Sequence, residues 1–460
     1  MGPDWRVPGK TPFIFKPFAL EPNAVVFFAY YLRNSATEKW VSGKSQGLRE
    51  KDCEDKDTAM RKTFQTIAIL SVGIVAVIAG GQRGLEETAS GQAGAAVAQI
   101  PKFRAEGSWP KLPSKWIMAI VSSTWIDEHD HLWVLQRPNT LSAEEKSKAA
   151  PPVLEFDAEG KFIQAWGGPG AGYDWPETEH GIYIDPKGFV WIGGNGNDDQ
   201  ILKFTKAGKF VMQIGKGGQK KTNADTKNLW EPADVFVYAK TNELFVADGY
   251  GNKRIIVFDT DTGAFKRMWG AFGVVPMDDP PAPGGARGQG RGTDAGPPPQ
   301  PMGPDGAPQF VPPVHAVKVS TDGLVYVADR GGRRVQVFTI AGKFVNQVFI
   351  GRECHAPDCG NGQTAAGLAF SPDPEQRYLY VANRSQAQIM IFNRKTLEFL
   401  DGFGSWGSGT GQFGTLHHLS VDSKGNLYTA EVTPLKPDNR RVQKFTFTGF
   451  VPMPMVIKNK

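Results

Sequence analysis

The chain has 460 residues, 40% hydrophobic and 22% charged, which is enough apolar material for a large core. Its 54 glycines and 34 prolines point to many turns rather than long helices. A net charge of +5 does not indicate nucleic-acid binding, and three cysteines without a CxxC pair argue against a thiolate zinc site.

Residues 1–59 have mixed charge and no period, and read as an over-extended reading frame or an N-terminal extension that builds no core. Arg61 and Lys62 precede an apolar run from Ile67 to Ala79, and small residues follow, with cleavage patterns ending at Ala79 or at Ala98. This is the layout of a bacterial-type export signal starting near Met60, so the chain is expected to be secreted or periplasmic. Residues 60–98 are then either removed or retained as a membrane anchor and linker. Cys354 and Cys359, five apart in a Gly/Pro-flanked loop, are a small local disulfide in an oxidising compartment or two free thiols.

From residue 116 one pattern recurs. A short strand ends in Asp or Ser, a Gly- or Asp-containing turn follows, and a second strand ends in a motif like V-A-D. A third strand of the type R-x-x-x-F and a fourth ending near W-G complete each copy. The copies begin at SSTWIDEHDHLWVLQR (122–137), HGIYIDPKGFVWIGG (180–194), ADVFVYAKTNELFVADG (233–249), HAVKVSTDGLVYVADR (315–330), AGLAFSPDPEQRYLYVANR (366–384) and HHLSVDSKGNLYTAE (417–431). Six four-stranded units imply an all-β, six-bladed propeller over residues 99–460. Equivalent first-strand positions are Ser122, His180, Ala233, His315, Ala366 and His417, spaced 58, 53, 82, 51 and 51 residues apart. The 82-residue interval contains a Pro/Gly-rich insert at about 274–309, which reads as a surface loop. Ring closure calls for an outer strand for the last blade, from Phe103 to Trp109 or from Val451 to Ile457.

Three of seven histidines, His180, His315 and His417, share one slot on alternate blades. First strands line the axis, so the three imidazoles should converge in the channel, leaving an open fourth position as in a catalytic zinc centre. Strand alternation should turn His418 away, and His129, His131 and His355 should lie solvated in turns. Arg137, Arg330 and Arg384 end second strands, and Tyr250 lies just beyond a fourth. If these ends face the histidines, the guanidiniums suit a carboxylate, and a phenol beside cations can serve as a base. An inter-blade ion pair, for instance of Arg330 with Asp329, is the alternative. Arg254, Arg333 and Arg334 are assigned to the repeat itself.

These motifs resemble the NHL-repeat family, and the constellation looks like peptidyl-α-hydroxyglycine α-amidating lyase over residues 116–450. The resemblance implies zinc held by His180 (EHGIYID), His315 (VHAVKV) and His417 (LHHLSVD), a catalytic tyrosine at Tyr250 (DGYGNKR), and active-site arginines at Arg137 and Arg330. It implies cleavage of the C–N bond of an α-hydroxyglycine-type small-molecule or peptide substrate in the central channel, giving an amide and glyoxylate. The sequence departs from the family at three places. His418 replaces the aspartate that helps bind a structural calcium, so calcium is not expected. Thr415 replaces a methionine, and Gly251 replaces a disulfide cysteine. A metal-assisted, lactonase-like hydrolase and a non-catalytic peptide- or protein-binding propeller are the competing readings.

Overall fold

The computed structural model describes residues 99–107, 109–219, 222–279, 304–352, 364–432 and 440–453. The export segment, the three cysteines, His355 and most of the Pro/Gly-rich insert lie outside the described residues. Among the described residues no helix is long and apolar enough to cross a membrane.

Six four-stranded antiparallel sheets form the blades. From inner to outer strand, blade one comprises Ile120–Ile126, Leu132–Arg137, Val153–Phe156 and Phe162–Trp166; blade two, Glu179–Ile184, Phe189–Gly194, Gln200–Thr205 and Phe210–Gly215. Blade three comprises Pro232–Tyr238, Glu243–Asp248, Arg254–Asp259 and Phe265–Trp269; blade four, Val314–Val319, Leu324–Asp329, Arg334–Thr339 and Phe344–Phe349. Blade five comprises Ala365–Phe370, Tyr378–Asn383, Gln388–Asn393 and Phe399–Phe403. Blade six takes Leu416–Val421, Leu427–Glu431 and Val442–Pro452 from the C-terminal end and Gln99–Ala105 from the other. The N-terminal side closes the ring, but with Gln99–Ala105 in place of the expected Phe103 to Trp109: Gln99 pairs with Pro452 and Ala105 with Phe445.

The repeated polar residues hold each blade in register. Asp185, after the inner strand of blade two, accepts the backbone N–H of Lys187 and Phe189 through Oδ1 and the indole N–H of Trp191 through Oδ2. Asp127 does the same with His129, His131 and Trp133, and Asp422 with Lys424, Asn426 and the hydroxyl of Tyr428. One carboxylate thus closes a turn and ties it to the next strand. The aspartate of V-A-D pairs with the arginine that opens the third strand: Asp248–Arg254 and Asp329–Arg334, both 2.8 Å and fully buried. Arg254 and Arg334 therefore serve the repeat, as the pattern implied.

The apolar core is divided among the six blade interfaces. Trp133, Leu135, Ile182, Ile192 and Phe204 fill the one between blades one and two. Phe245, Val257, Val317 and Val327 fill the one between blades three and four. The inner strands pack on one another around a closed ring. Every blade is wedged between two others, so the positions on the inner strands are fixed by the whole ring.

Candidate metal centre

In all six inner strands the pairing register slips at the same place. The slips fall between Val121 and Ser123, Glu179 and Gly181, Pro232 and Asp234, Val314 and Ala316, Ala365 and Leu368, and Leu416 and Leu419. The residues left out of the ladder include Ser122, His180, Ala233, His315, Ala366 and His417, the six positions that the repeat aligns. A bulge residue is re-aimed out of the pleat, and here it brings the three histidines together. Their ring centroids lie 4.8 Å (His180–His315), 4.7 Å (His180–His417) and 4.5 Å (His315–His417) apart.

Each imidazole is held by the carbonyl of the next blade at the same slot. Nδ1 of His180 lies 2.7 Å from Ala233 O, that of His315 2.8 Å from Ala366 O, and that of His417 2.6 Å from Ser122 O. A carbonyl only accepts, so Nδ1 carries the proton and the Nε2 lone pair is left facing inward. The backbone contact and the inward-facing nitrogen are two sides of one imidazole. Nε2 of His315 and His417 stand 3.0 Å apart, and Nε2 of His180 accepts from the Tyr250 hydroxyl at 2.9 Å. Two lone pairs at 3.0 Å repel unless a cation lies between them. All three rings are fully buried. Burial first, with neighbouring imidazoles and the Arg330 guanidinium adding to it, holds their pKa values well below the usual range, so a proton is not favoured as that cation. The donor set, neutral imidazole nitrogens oriented by backbone carbonyls, fits a metal ion, and the cluster could hold one.

His418 contradicts the expectation from alternation. The bulge sets both His417 and His418 against the single residue Ala430, which breaks the period of two. His418 is buried, its ring stacks on His315 at 5.0 Å, and it joins the same imidazole cluster. Burial pushes its pKa down to about 4, with Asp234 opposing the shift. His131 departs from expectation too: it is part-buried, with Nδ1 2.8 Å from Glu155 Oε1, because Glu155 on the third strand of its blade reaches over the turn. His129 is exposed in that turn, as expected.

Tyr250 reaches the cluster because blades three and four meet closely. A Cβ on Gly249 would lie 2.0 Å from the Val314 carbonyl, so only glycine fits between the second strand and Tyr250. The Val314 N–H in turn donates to Gly249 O at 3.0 Å. Trp230 occupies the space that a side chain on residue 251 would need, consistent with glycine there. Arg330 is fully buried, and its Nε and both terminal nitrogens have no hydrogen-bond partner. Its guanidinium lies over the Tyr250 ring, 5.3 Å from the centroid. The expected alternative pairing with Asp329 does not occur, because Asp329 is taken by Arg334 and by the N–H groups of Val311 and Gly332. Arg137 donates to Glu179 O at 2.7 Å and to Asn195 Oδ1 at 3.2 Å. Arg384 occupies the corresponding end in blade five, where its backbone N–H donates to Thr364 O.

Sequence reasoning missed two further residues. Asn195 steadies Arg137 from the end of blade two. Glu179, beside His180, is bonded through Oε1 to the Trp175 indole, and burial pushes it up to about 7. Neither belongs to a repeat position that its residue type would mark.

No protein-family model matches the chain. Among curated proteins it is 27% identical over 301 residues to NHL repeat-containing protein 3 of Mus musculus, covering 63% of this chain and 70% of that protein. It is 27% identical over 277 residues to peptidyl-glycine alpha-amidating monooxygenase A of Xenopus laevis, covering 58% of this chain but only 25% of that protein. A probable peptidyl-alpha-hydroxyglycine alpha-amidating lyase of Caenorhabditis elegans is 30% identical over 161 residues, 35% of this chain and 36% of the relative. The chain is thus an NHL-repeat six-bladed β-propeller that resembles the amidating lyase, and its similarity to the lyase and monooxygenase proteins is distant.

Proposed function

We propose that the chain is a zinc-dependent carbon–nitrogen lyase acting on an α-hydroxyglycine-type substrate in its central channel. One arrangement carries this reading. Three tethered imidazoles present Nε2 beside a phenol, and a fully buried guanidinium without a hydrogen-bond partner lies over that phenol. A buried cation with five free donors calls for an anion, and its planar fork matches a carboxylate.

His180, His315 and His417 would hold zinc, which when bound supplies Lewis acidity toward the substrate's oxygen atoms. Arg330 binds the substrate carboxylate and so places the α-hydroxyl near Tyr250. Arg137, fixed by Glu179 O and Asn195, adds positive charge on the blade-two side of the cluster. Tyr250, as the phenolate once its own hydroxyl proton has passed to solvent, takes the α-hydroxyl proton and returns it to the departing nitrogen. The oxygen electron pair forms the aldehyde C=O, the C–N bond breaks with its pair going to nitrogen, and the nitrogen takes up a proton. The products are a primary amide and glyoxylate, with atoms and electrons balanced.

The test is incubation of the zinc-supplied chain with an N-acyl-α-hydroxyglycine, with glyoxylate and amide measured together. Equal release of both supports the lyase. Turnover of lactones without turnover of the hydroxyglycine would transfer the site to a metal-assisted hydrolase. No turnover of either in a metal-loaded chain would favour a binding propeller.

A further inference from the structure

His418 has no part in the reading above, yet its side chain is drawn into the same cluster. Its Nε2 is buried without a hydrogen-bond partner. Its ring lies 4.8 Å from His417, 5.0 Å from His315 and 5.5 Å from His180. One ring nitrogen from each of the four histidines fits within a 4.8 Å spread. A buried imidazole nitrogen without a partner loses its hydration with nothing in exchange. Asp234, the carboxylate that acts on His418, accepts the Val317 N–H and the Lys318 ammonium through Oδ2.

We infer that His418 supplies a fourth imidazole nitrogen, making the centre a four-histidine site. This rests on the metal reading above and changes one part of it: the fourth position is filled by His418, and a substrate oxygen would add as a fifth donor. Four neutral nitrogen donors leave the full charge of a divalent ion uncompensated, and the Arg137 and Arg330 cations stand close by. Such a centre binds its metal most tightly when an anion is present. That makes a carboxylate-bearing ligand a partner of the metal site as well as of Arg330.

The test uses the full chain, its His418→Ala and His418→Asn variants, and zinc and cobalt(II) as probes. Zinc affinity is read by competition with a chelating dye, and coordination by the visible spectrum of the cobalt form. The inference expects both variants to weaken zinc at least about 10-fold, as loss of even an outer-sphere contact can, and to change the cobalt spectrum. Unchanged affinity together with an unchanged spectrum overturns it while leaving a three-histidine centre standing. Absence of zinc and cobalt from the wild-type chain overturns both this inference and the metal reading. Should the variants fail to fold, a crystal structure of the zinc-loaded wild-type chain decides. A His418 nitrogen at about 2.0–2.1 Å from zinc supports the inference, and one outside bonding distance overturns it.

Discussion

Replacing Arg330 with methionine should make the protein more stable and less able to hold a carboxylate. Arg330 is 0% exposed and its three guanidinium nitrogens lack hydrogen-bond partners, so folding strips it of water with only the Tyr250 ring in exchange. Exchanging buried ion pairs for apolar side chains of similar volume stabilises proteins by about 1–4 kcal/mol, and an ion without a counter-charge has at least as much to regain. For a propeller of this size that is a rise in Tm of a few degrees. A bound carboxylate, by contrast, loses a buried charge partner, about 2–5 kcal/mol, which is a loss in affinity of roughly 30-fold to several thousand-fold. Calorimetry of the metal-free variant measures the first effect, and competition by glyoxylate the second. An Arg330→Met protein that is several kcal/mol less stable, or that binds carboxylates like the wild type, would refute the reasoning and make Arg330 a structural residue.

Tyr250→Phe should keep its metal and lose about 10²- to 10⁴-fold in kcat, the usual contribution of a positioned base; metal analysis beside turnover checks it, and retained turnover removes Tyr250 as the base. Asp248→Ala leaves Arg254 fully buried without its carboxylate and should cost about 3–5 kcal/mol, measured by chemical denaturation, without direct loss of metal. Zinc at roughly a hundred times its Kd should raise stability by about 2.7 kcal/mol, seen as a Tm increase that a chelator reverses. The same addition should do little for the triple variant His180→Ala/His315→Ala/His417→Ala.

The blades were legible because the repeat writes each one in polar residues. Asp185 before its turn and Asp248 before Arg254 mark strand ends with contacts that the structure then makes. The alignment of His180, His315 and His417 was legible for the same reason, since one slot in a ring of repeats is one place in space. What alternation could not give is the bulge at that slot. It is a property of backbone pairing, and it carries His418 into the cluster instead of away from it. The signals were the His417–His418 doublet itself and the small residues, Gly181 and Gly367, at the following position in other blades. A Cβ on either would stand within 2.7 Å of a neighbouring blade's carbonyl oxygen. The isolation of Arg330 was not legible either. It depends on Asp329 being claimed by Arg334, a choice between two arginines that only packing makes.

The proposed chemistry requires a metal at the bulge slot. Elemental analysis of the purified chain, supplied with zinc, and of its His180→Ala, His315→Ala and His417→Ala variants tests this most directly. About one zinc per chain is expected, as for a three- or four-ligand site, lost in each variant. A wild-type chain that takes up no metal, or variants that all retain it, would contradict that chemistry.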